Sequence, residues 1–340
     1  MSVKAGTNND GMDIFYSRKW AELFAREMGG VAEVFRMEDG TMIAQYPFIK
    51  RRINDLDFAG ALKQEFFDIV SPYGYGGIYL SEAAREDALF LRRFRNDFKK
   101  YCAKERIVSE FIRFHPLEQN QKAFEDLYAI KQVNKNSVIN LGRTDDEIFK
   151  NIEKRHRYSI RLAEKSGVEI VLDNKFAYLP EFKSLYLSTN DRTQATKFYN
   201  FSGKFFQNLI QNFPDTVKLV VAKLEEKVVA ASIFIFNPDH AYYFLSGANE
   251  LALKVCANHL LLYKIALVAN KEGKRFFNLG GGLKQGDALS IFKFGFSKLS
   301  VPFYVGTRIV DKEMYDSLAA LSGADSKSDY FPLYRAPKKG

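Results

Sequence analysis

The sequence predicts a mixed α/β protein that uses one sheet-and-helix plan twice, and three observations predict it. An order of helix, β-hairpin, strand, glycine-rich break, helix and strand fills the first half and comes back in the second. Period-2 and period-3.6 apolar patterns alternate along both halves. The 340 residues are 46% hydrophobic and 15% aromatic, enough for two sizeable cores.

Taken in order, Ser17–Met28 reads as a helix with Ser17 at its cap, an apolar face of Trp20, Leu23 and Phe24, and a stop at Gly29-Gly30. Val31–Met37, the turn Glu38-Asp39-Gly40 and Thr41–Lys50 form a hairpin. Phe66–Val70 is a strand, Ser71–Leu80 (SPYGYGGIYL) breaks it, Glu82–Lys104 is a long amphipathic helix and Ile107–Phe114 a strand. Lys122–Gln132 then reads as a helix and Ser137–Leu141 as a short strand. Thr144 with Glu147 three residues on is a capping box, so one helix is expected from Asp145 to Ser166, stopping at Gly167. Arg157, Arg161 and Lys165 recur every four residues and stack three cations along one side of it. Such a stripe is either a solvated face or a ridge for phosphates.

The plan then returns. Pro180–Leu187 and Ser202–Asn212 are helices, Val217–Leu224 and Val228–Phe236 a hairpin about Glu225-Glu226-Lys227, and Ala241–Ser246 a strand. Gly247-Ala248-Asn249 opens a loop, Cys256–Lys271 is a helix ended by Gly273, and Arg275–Leu279 is a buried strand. That strand runs into Gly280-Gly281-Gly282, a polar loop, a short helix capped by Asp287, and the pair Phe292-Lys293. Three glycines leave room for a close approach by another backbone or a ligand, and a fixed cation beside an aromatic suits an anionic or polar acyl group. A strand (Val305–Val310), a helix (Lys312–Leu321) and the aromatic segment DYFPLYR finish the chain.

Composition narrows the partners. The net charge is +9, from 50 basic and 41 acidic residues, which favours a nucleic acid, a nucleotide-linked substrate or an anionic membrane surface. Cys102 and Cys256 lie far apart in helical patterns and read as packing residues of a reducing compartment. No apolar run approaches the roughly 20 residues needed to span a bilayer, and the polar start MSVKAGTNNDG has no apolar signal core, so a soluble, cytoplasmic protein is expected. His115, His156, His240 and His259 make no metal-ligand spacing with either cysteine, and neither a G-x-S-x-G elbow nor a phosphate-loop motif is present. No metal and no cofactor are expected.

HRYSIRLAEKSGVEI (His156–Ile170) resembles the R-Y-x-I-R-x-A-x-K-x-G-V segment of the Fem family, the aminoacyl-tRNA-dependent transferases that build peptidoglycan interpeptide bridges. SPYGYGG, YYFLSGAN followed by ANHLLLYKIAL, FFNLGGG and SIFKFGF are similar to further segments of that family in the same order. The resemblance implies two tandem domains of the acetyltransferase (GNAT) fold, 1–143 and 144–310, with 311–340 packing back on the first and most of the cleft in the second. No protein partner is inferred. Two departures stand out: no extended heptad pattern marks the helical arm many members carry for tRNA, and SGANELALKVCAN lacks the [QR]-x-x-G-x-[GA] loop that grips coenzyme A.

By that resemblance Lys293, with Phe292 beside it, is the catalytic cation facing the reacting acyl group. Arg192, Tyr199 and Tyr243 are implied substrate contacts, Lys50 a further one for a diphosphate, and Arg157, Arg161 and Lys165 contacts for tRNA. The expected reaction moves an amino acid from aminoacyl-tRNA to an amino group of a nucleotide- or lipid-linked muropeptide or an amino-sugar acceptor. An aminoacyl ester is already activated, so alignment and oxyanion stabilisation suffice, without a covalent enzyme intermediate. Two other readings stand beside it: an N-acyltransferase that takes its group from coenzyme A or an acyl carrier, and a non-catalytic tRNA- or nucleotide-binding protein on the same fold.

Overall fold

A computed structural model of the chain describes residues 11–60, 62–282, 284 and 286–337; most of the polar N-terminal start lies outside them. The chain divides into two compact units, residues 1–133 with 303–340 and residues 134–302.

In the first unit α1 (Arg18–Ala25) is capped by the Ser17 hydroxyl, which accepts from Trp20 N at 3.1 Å. β1 (Val31–Asp39) and β2 (Met42–Arg52) form the expected hairpin, in register from Val31–Lys50 to Asp39–Met42. β3 (Phe67–Val70) and β4 (Tyr79–Leu80) both pair with β2. The long helix expected from Glu82 is two helices, α2 (Glu82–Glu86) and α3 (Ala88–Lys104). Asp87 takes an extended conformation between them and its carboxylate caps the second through Phe90 N at 2.7 Å, a local bond that competes with continuing the first. Phe90, Phe94, Phe98 and Cys102 recur every four residues on the buried face of α3. Each phenylalanine so buried contributes roughly 1.5–3 kcal/mol. β5 (Ile107–Arg113) lies parallel to β3.

Residues 122–132 are not a helix. A 3-10 turn, Asn120–Phe124, leads to β6 (Ala129–Asn140), a twelve-residue strand of which only the last part is continuously buried. Its outer part, rich in Lys, Gln and Asn, shows no core-facing alternation and so hides its strand character in the sequence.

The second unit opens with a further break. The capping box of Thr144 and Glu147 is present, but the helix it starts, α4 (Asp145–Asn151), stops at Ile152, and α5 (Lys154–Lys165) begins two residues on. Ile152 is extended and 1% exposed, driven into the core, and the Arg157 guanidinium satisfies the carbonyls of Lys150 and Ile152 left open by the break (2.9 and 2.7 Å). β7 (Val168–Asp173), α6 (Leu179–Thr193) and α7 (Gly203–Asn212) follow, then β8 (Val217–Leu224) and β9 (Lys227–Phe236), which form the expected hairpin. β10 (His240–Ala248) leads through a short helix, α8 (Glu250–Lys254), to α9 (Ala257–Lys271) and β11 (Phe276–Gly280). After α10 (Ala288–Phe294), β12 (Ser300–Ile309) carries the chain back to the first unit, where it pairs with β5, and α11 (Lys312–Ser322) follows. The strands of the second unit lie in the order β6-β11-β10-β9-β8-β7. The fold class is thus mixed α/β, with helices packed on sheets in each unit.

The C-terminal aromatics are anchored in the first unit. Asp68, fully buried, accepts from Arg51 at 2.7 Å, from the Tyr334 hydroxyl at 3.2 Å and from Arg335. Tyr334 also shares a 2.7 Å hydrogen bond with Ser109.

Candidate functional site

In the second unit β10 and β11 run parallel only from His240–Phe276 to Tyr242–Asn278. Beyond that pair β10 continues beside β9 as far as Ala248, with an irregularity between Tyr243 and Leu245, while β11 turns at Gly280 opposite Ser137 of β6. Tyr243 sits where the two strands part company. Its ring stacks on Phe234 at 5.6 Å. Burial pushes its hydroxyl above the ordinary tyrosine pKa, and hydrogen bonding to Ser246 and Ser232 opposes that; those two serines are themselves bonded at 3.0 Å.

The glycine run turns out to accommodate the protein's own atoms. Gly280 takes φ +76°, a conformation that favours glycine. A Cβ on Gly281 would meet Lys135 O at 2.7 Å, and one on Gly282 would meet Asp287 Oδ1 at 2.1 Å. Asp287 needs that space because it caps α10 by accepting from Ser290 N at 2.6 Å, and it also accepts from Lys284 N at 2.9 Å.

Lys293, in the last turn of α10, points back over this turn. Its ammonium donates to Gly281 O at 2.8 Å and lies 5.6 Å from the centre of the Tyr243 ring. The side chain is half-buried as a whole, with its charged end enclosed. Burial lowers its pKa to about 8, against a smaller upward pull from Asp287. Its neighbour Phe292 faces the other way, into the core, where its ring meets His259 at 4.9 Å, Phe296 at 5.4 Å and His156 at 5.8 Å. Phe292 therefore anchors the helix that carries the lysine.

The other expected contacts are placed as follows. Arg192 ends α6 and donates to Ala248 O, at the end of the strand bearing Tyr243, at 3.0 Å. The Tyr199 carbonyl accepts from the Tyr186 hydroxyl at 2.7 Å and from Asn190 at 3.1 Å, tying its loop to α6. Lys50 lies in the first unit, its ammonium held by Glu33 at 2.6 Å and Glu105 at 3.1 Å and 4.9 Å from the Phe67 ring. Burial works against its charge, but those two carboxylates raise its pKa. On α5, Arg157 is engaged with backbone carbonyls as described, whereas Arg161 and Lys165 are exposed, the former over the Phe149 ring at 5.3 Å. Tyr158, 69% exposed, stands on the same helix.

Sequence reasoning missed the residues that fasten α10. The carbonyl of Phe292 accepts from His156 Nε2 at 2.8 Å, that of Lys293 from the Ser137 hydroxyl at 2.9 Å and that of Gly295 from Glu153 N at 2.9 Å. Both histidines stand in segments already singled out, His156 at the start of HRYSIRLAEKSGVEI and His259 within ANHLLLYKIAL; their contacts with α10 join residues far apart in the chain, which local sequence does not reveal. A cavity of about 230 Å³ also has Phe296 in its lining, with Asn140, Arg143, Asn151 and Lys298.

A model of the FemAB family matches residues 120–228, a stretch that contains α4, α5 and the segment HRYSIRLAEKSGVEI. Among solved structures the chain is similar to FemX, with a TM-score of 0.69 at 15% identity over 91% of this chain and 95% of that one. It is also similar to the C-terminal domain of a putative lysylphosphatidylglycerol synthetase from Agrobacterium fabrum (TM-score 0.53, 12% identity, 90% and 93% of the two chains). A conserved protein of unknown function from Bacteroides thetaiotaomicron VPI-5482 has a TM-score of 0.54 at 10% identity, over 86% and 91%. At these identities the solved structures establish the fold. No curated protein sequence matches the chain. The Fem-family likeness read from the sequence is borne out.

Proposed function

We propose, from a Fem-family likeness on the fold of FemX, that this chain is an acyltransferase of peptidoglycan-type cell-envelope assembly, and more narrowly that it moves an amino acid from aminoacyl-tRNA to an amino group of a muropeptide precursor. The observation that carries this reading is the enclosed Lys293 ammonium, held between the Gly281 carbonyl and the Tyr243 ring where β10 and β11 diverge.

In the proposed reaction the acceptor amine attacks the ester carbonyl of the donor. A C–N bond forms, the C–O bond to the ribose breaks, the amine gives up a proton and the ribose hydroxyl leaves protonated. The oxyanion that develops on the carbonyl oxygen needs a donor already in place. An ammonium carries three N–H donors, and one on Gly281 O leaves two for that oxygen. With a pKa of about 8 the group is mainly cationic near neutral pH, while its enclosure strengthens its field. Tyr243 is proposed to line the acyl position, with Arg192 and Tyr199 contacting the acceptor. Arg161 and Lys165, both exposed on α5, are proposed to meet tRNA phosphates. Lys50 would reach a diphosphate only by giving up Glu33 and Glu105.

The test is transfer by purified protein from labelled aminoacyl-tRNA, or from an acyl thioester, to a panel of muropeptide and amino-sugar acceptors. Label moving from aminoacyl-tRNA to a muropeptide amine supports the reading. Transfer from the thioester alone replaces the donor, and tRNA or nucleotide binding without transfer by any pair points to the non-catalytic alternative.

A further inference from the structure

We infer that His156 is a positioning residue for Lys293: its imidazole clamps the carbonyl of Phe292 and so fixes the height of α10 over the Gly281 turn. This deepens the function proposed above and rests on Lys293 being the group that meets the acyl carbonyl.

The geometry carries the inference. α10 is only seven residues long and lies between two connecting segments, so intrinsic helix stability does little to hold it. Three carbonyls at its C-terminal end are instead tied to distant parts of the chain: Phe292 O to His156, Lys293 O to Ser137, Gly295 O to Glu153 N. Two of the three come from α5 or the residue before it, at the break after α4. A carbonyl only accepts, so His156 carries its proton on Nε2, and its Nδ1 is left buried without a hydrogen-bond partner.

The imidazole is shaped into its place. His156 is 6% exposed, and its ring lies edge to face with His259 at 4.7 Å and with Phe296 at 5.0 Å. A Cβ on Gly295 would fall 2.2 Å from it, so the end of α10 closes on the ring only because that residue is glycine. Burial first, with Arg155 also disfavouring charge and Glu153 and the Phe292 carbonyl favouring it, keeps the His156 pKa below the ordinary histidine value. His259 is lowered to about 4, by burial first and then by His156 and Arg155. A neutral His156 is the form that gives one N–H to one carbonyl while sharing an apolar pocket with a second neutral ring. The same contact explains why segments more than 130 residues apart, HRYSIRLAEKSGVEI and SIFKFGF, belong together: one holds the other.

The test reads Lys293 directly. Competitive labelling with acetic anhydride across a pH series, quantified on the Lys293 peptide by mass spectrometry, gives the titration of that one amine. In the wild-type protein the inflection belongs near 8, where burial lowers it against the upward pull of Asp287. In His156→Phe, which keeps an aromatic ring and loses the donor, it should move up by about one pH unit or more as the ammonium regains water, and His156→Gln, whose amide restores a donor, should bring it back. In the transfer assay His156→Phe should lower kcat at least about tenfold with KM nearly unchanged. Should His156→Phe not fold, Ser137→Ala, which removes the neighbouring clamp on Lys293 O, must show the same upward movement. An unmoved inflection in the folded variants overturns the inference. If the unaltered protein transfers no acyl group at all, the functional reading falls while the labelling result still decides the clamp.

Discussion

The Lys293 ammonium donates to the carbonyl oxygen of Gly281, twelve residues earlier in the chain, at 2.8 Å. One hydrogen bond thus spans the glycine turn and the helix after it, and it sets where the only described cation beside the Tyr243 ring can reach.

Removing that charge should separate chemistry from stability. Lys293→Met keeps the length of the side chain and deletes the ammonium. Losing one preorganised donor at an oxyanion costs about 100- to 1,000-fold in kcat. Thermal stability should hold or rise, since the change relieves a buried charge. Steady-state transfer kinetics alongside thermal melts check this, and a melt that drops with the rate would assign the lysine to the scaffold.

The histidine pair should make the second unit acid-sensitive. A base whose folded pKa is depressed binds its proton more readily when unfolded, so its contribution to stability is complete above the unfolded value near 6.5 and is lost as pH falls from there toward the folded value. For His259 that window runs from about 6.5 down to about 4, and the lowered His156 acts in the same direction. Urea denaturation at a series of pH values should show stability falling across it. His259→Phe should flatten the slope.

Asp68 should prove sensitive to the loss of a partner. It is fully buried with Arg51, Arg335 and Tyr334 around it. Breaking a buried pair from one side costs about 3–5 kcal/mol, so Arg335→Ala should lower the urea midpoint markedly. Tyr334→Phe removes the hydrogen bond to the charged Asp68 together with the one to Ser109, and should cost at least about 1.5–3 kcal/mol.

Gly282→Ala should disable the turn without unfolding the protein. The added methyl would stand 2.1 Å from Asp287 Oδ1 and push the carboxylate off the helix N-terminus. A lost cap costs about 1 kcal/mol. Transfer should fall by more than that loss of stability accounts for, because α10 also carries Lys293; equal activity and unchanged melting would mean the turn adjusts freely.

Much of this was legible in the chain. The two hairpins, the Thr144–Glu147 box, the Asp287 cap and the Phe292-Lys293 pair are written in neighbours a few residues apart, where backbone geometry leaves few alternatives. Helix continuity was harder. Asp87 and Ile152 fit a helical pattern locally, yet one caps a new helix and the other is drawn into the core, so each ends a helix that periodicity alone would prolong. The glycine run was readable as a place of close approach; that the approaching atoms are Lys135 O and Asp287 was not.

By itself the sequence determined the mixed α/β class, the repeated plan and the segments that resemble the Fem family, since all of these rest on local pattern. Only the tertiary structure decided that Ser137, His156, Tyr243, Gly281 and Lys293 meet. Such a meeting depends on strand register and on where two parallel strands part, and those are settled by the packing of the whole core, which no short window of residues contains.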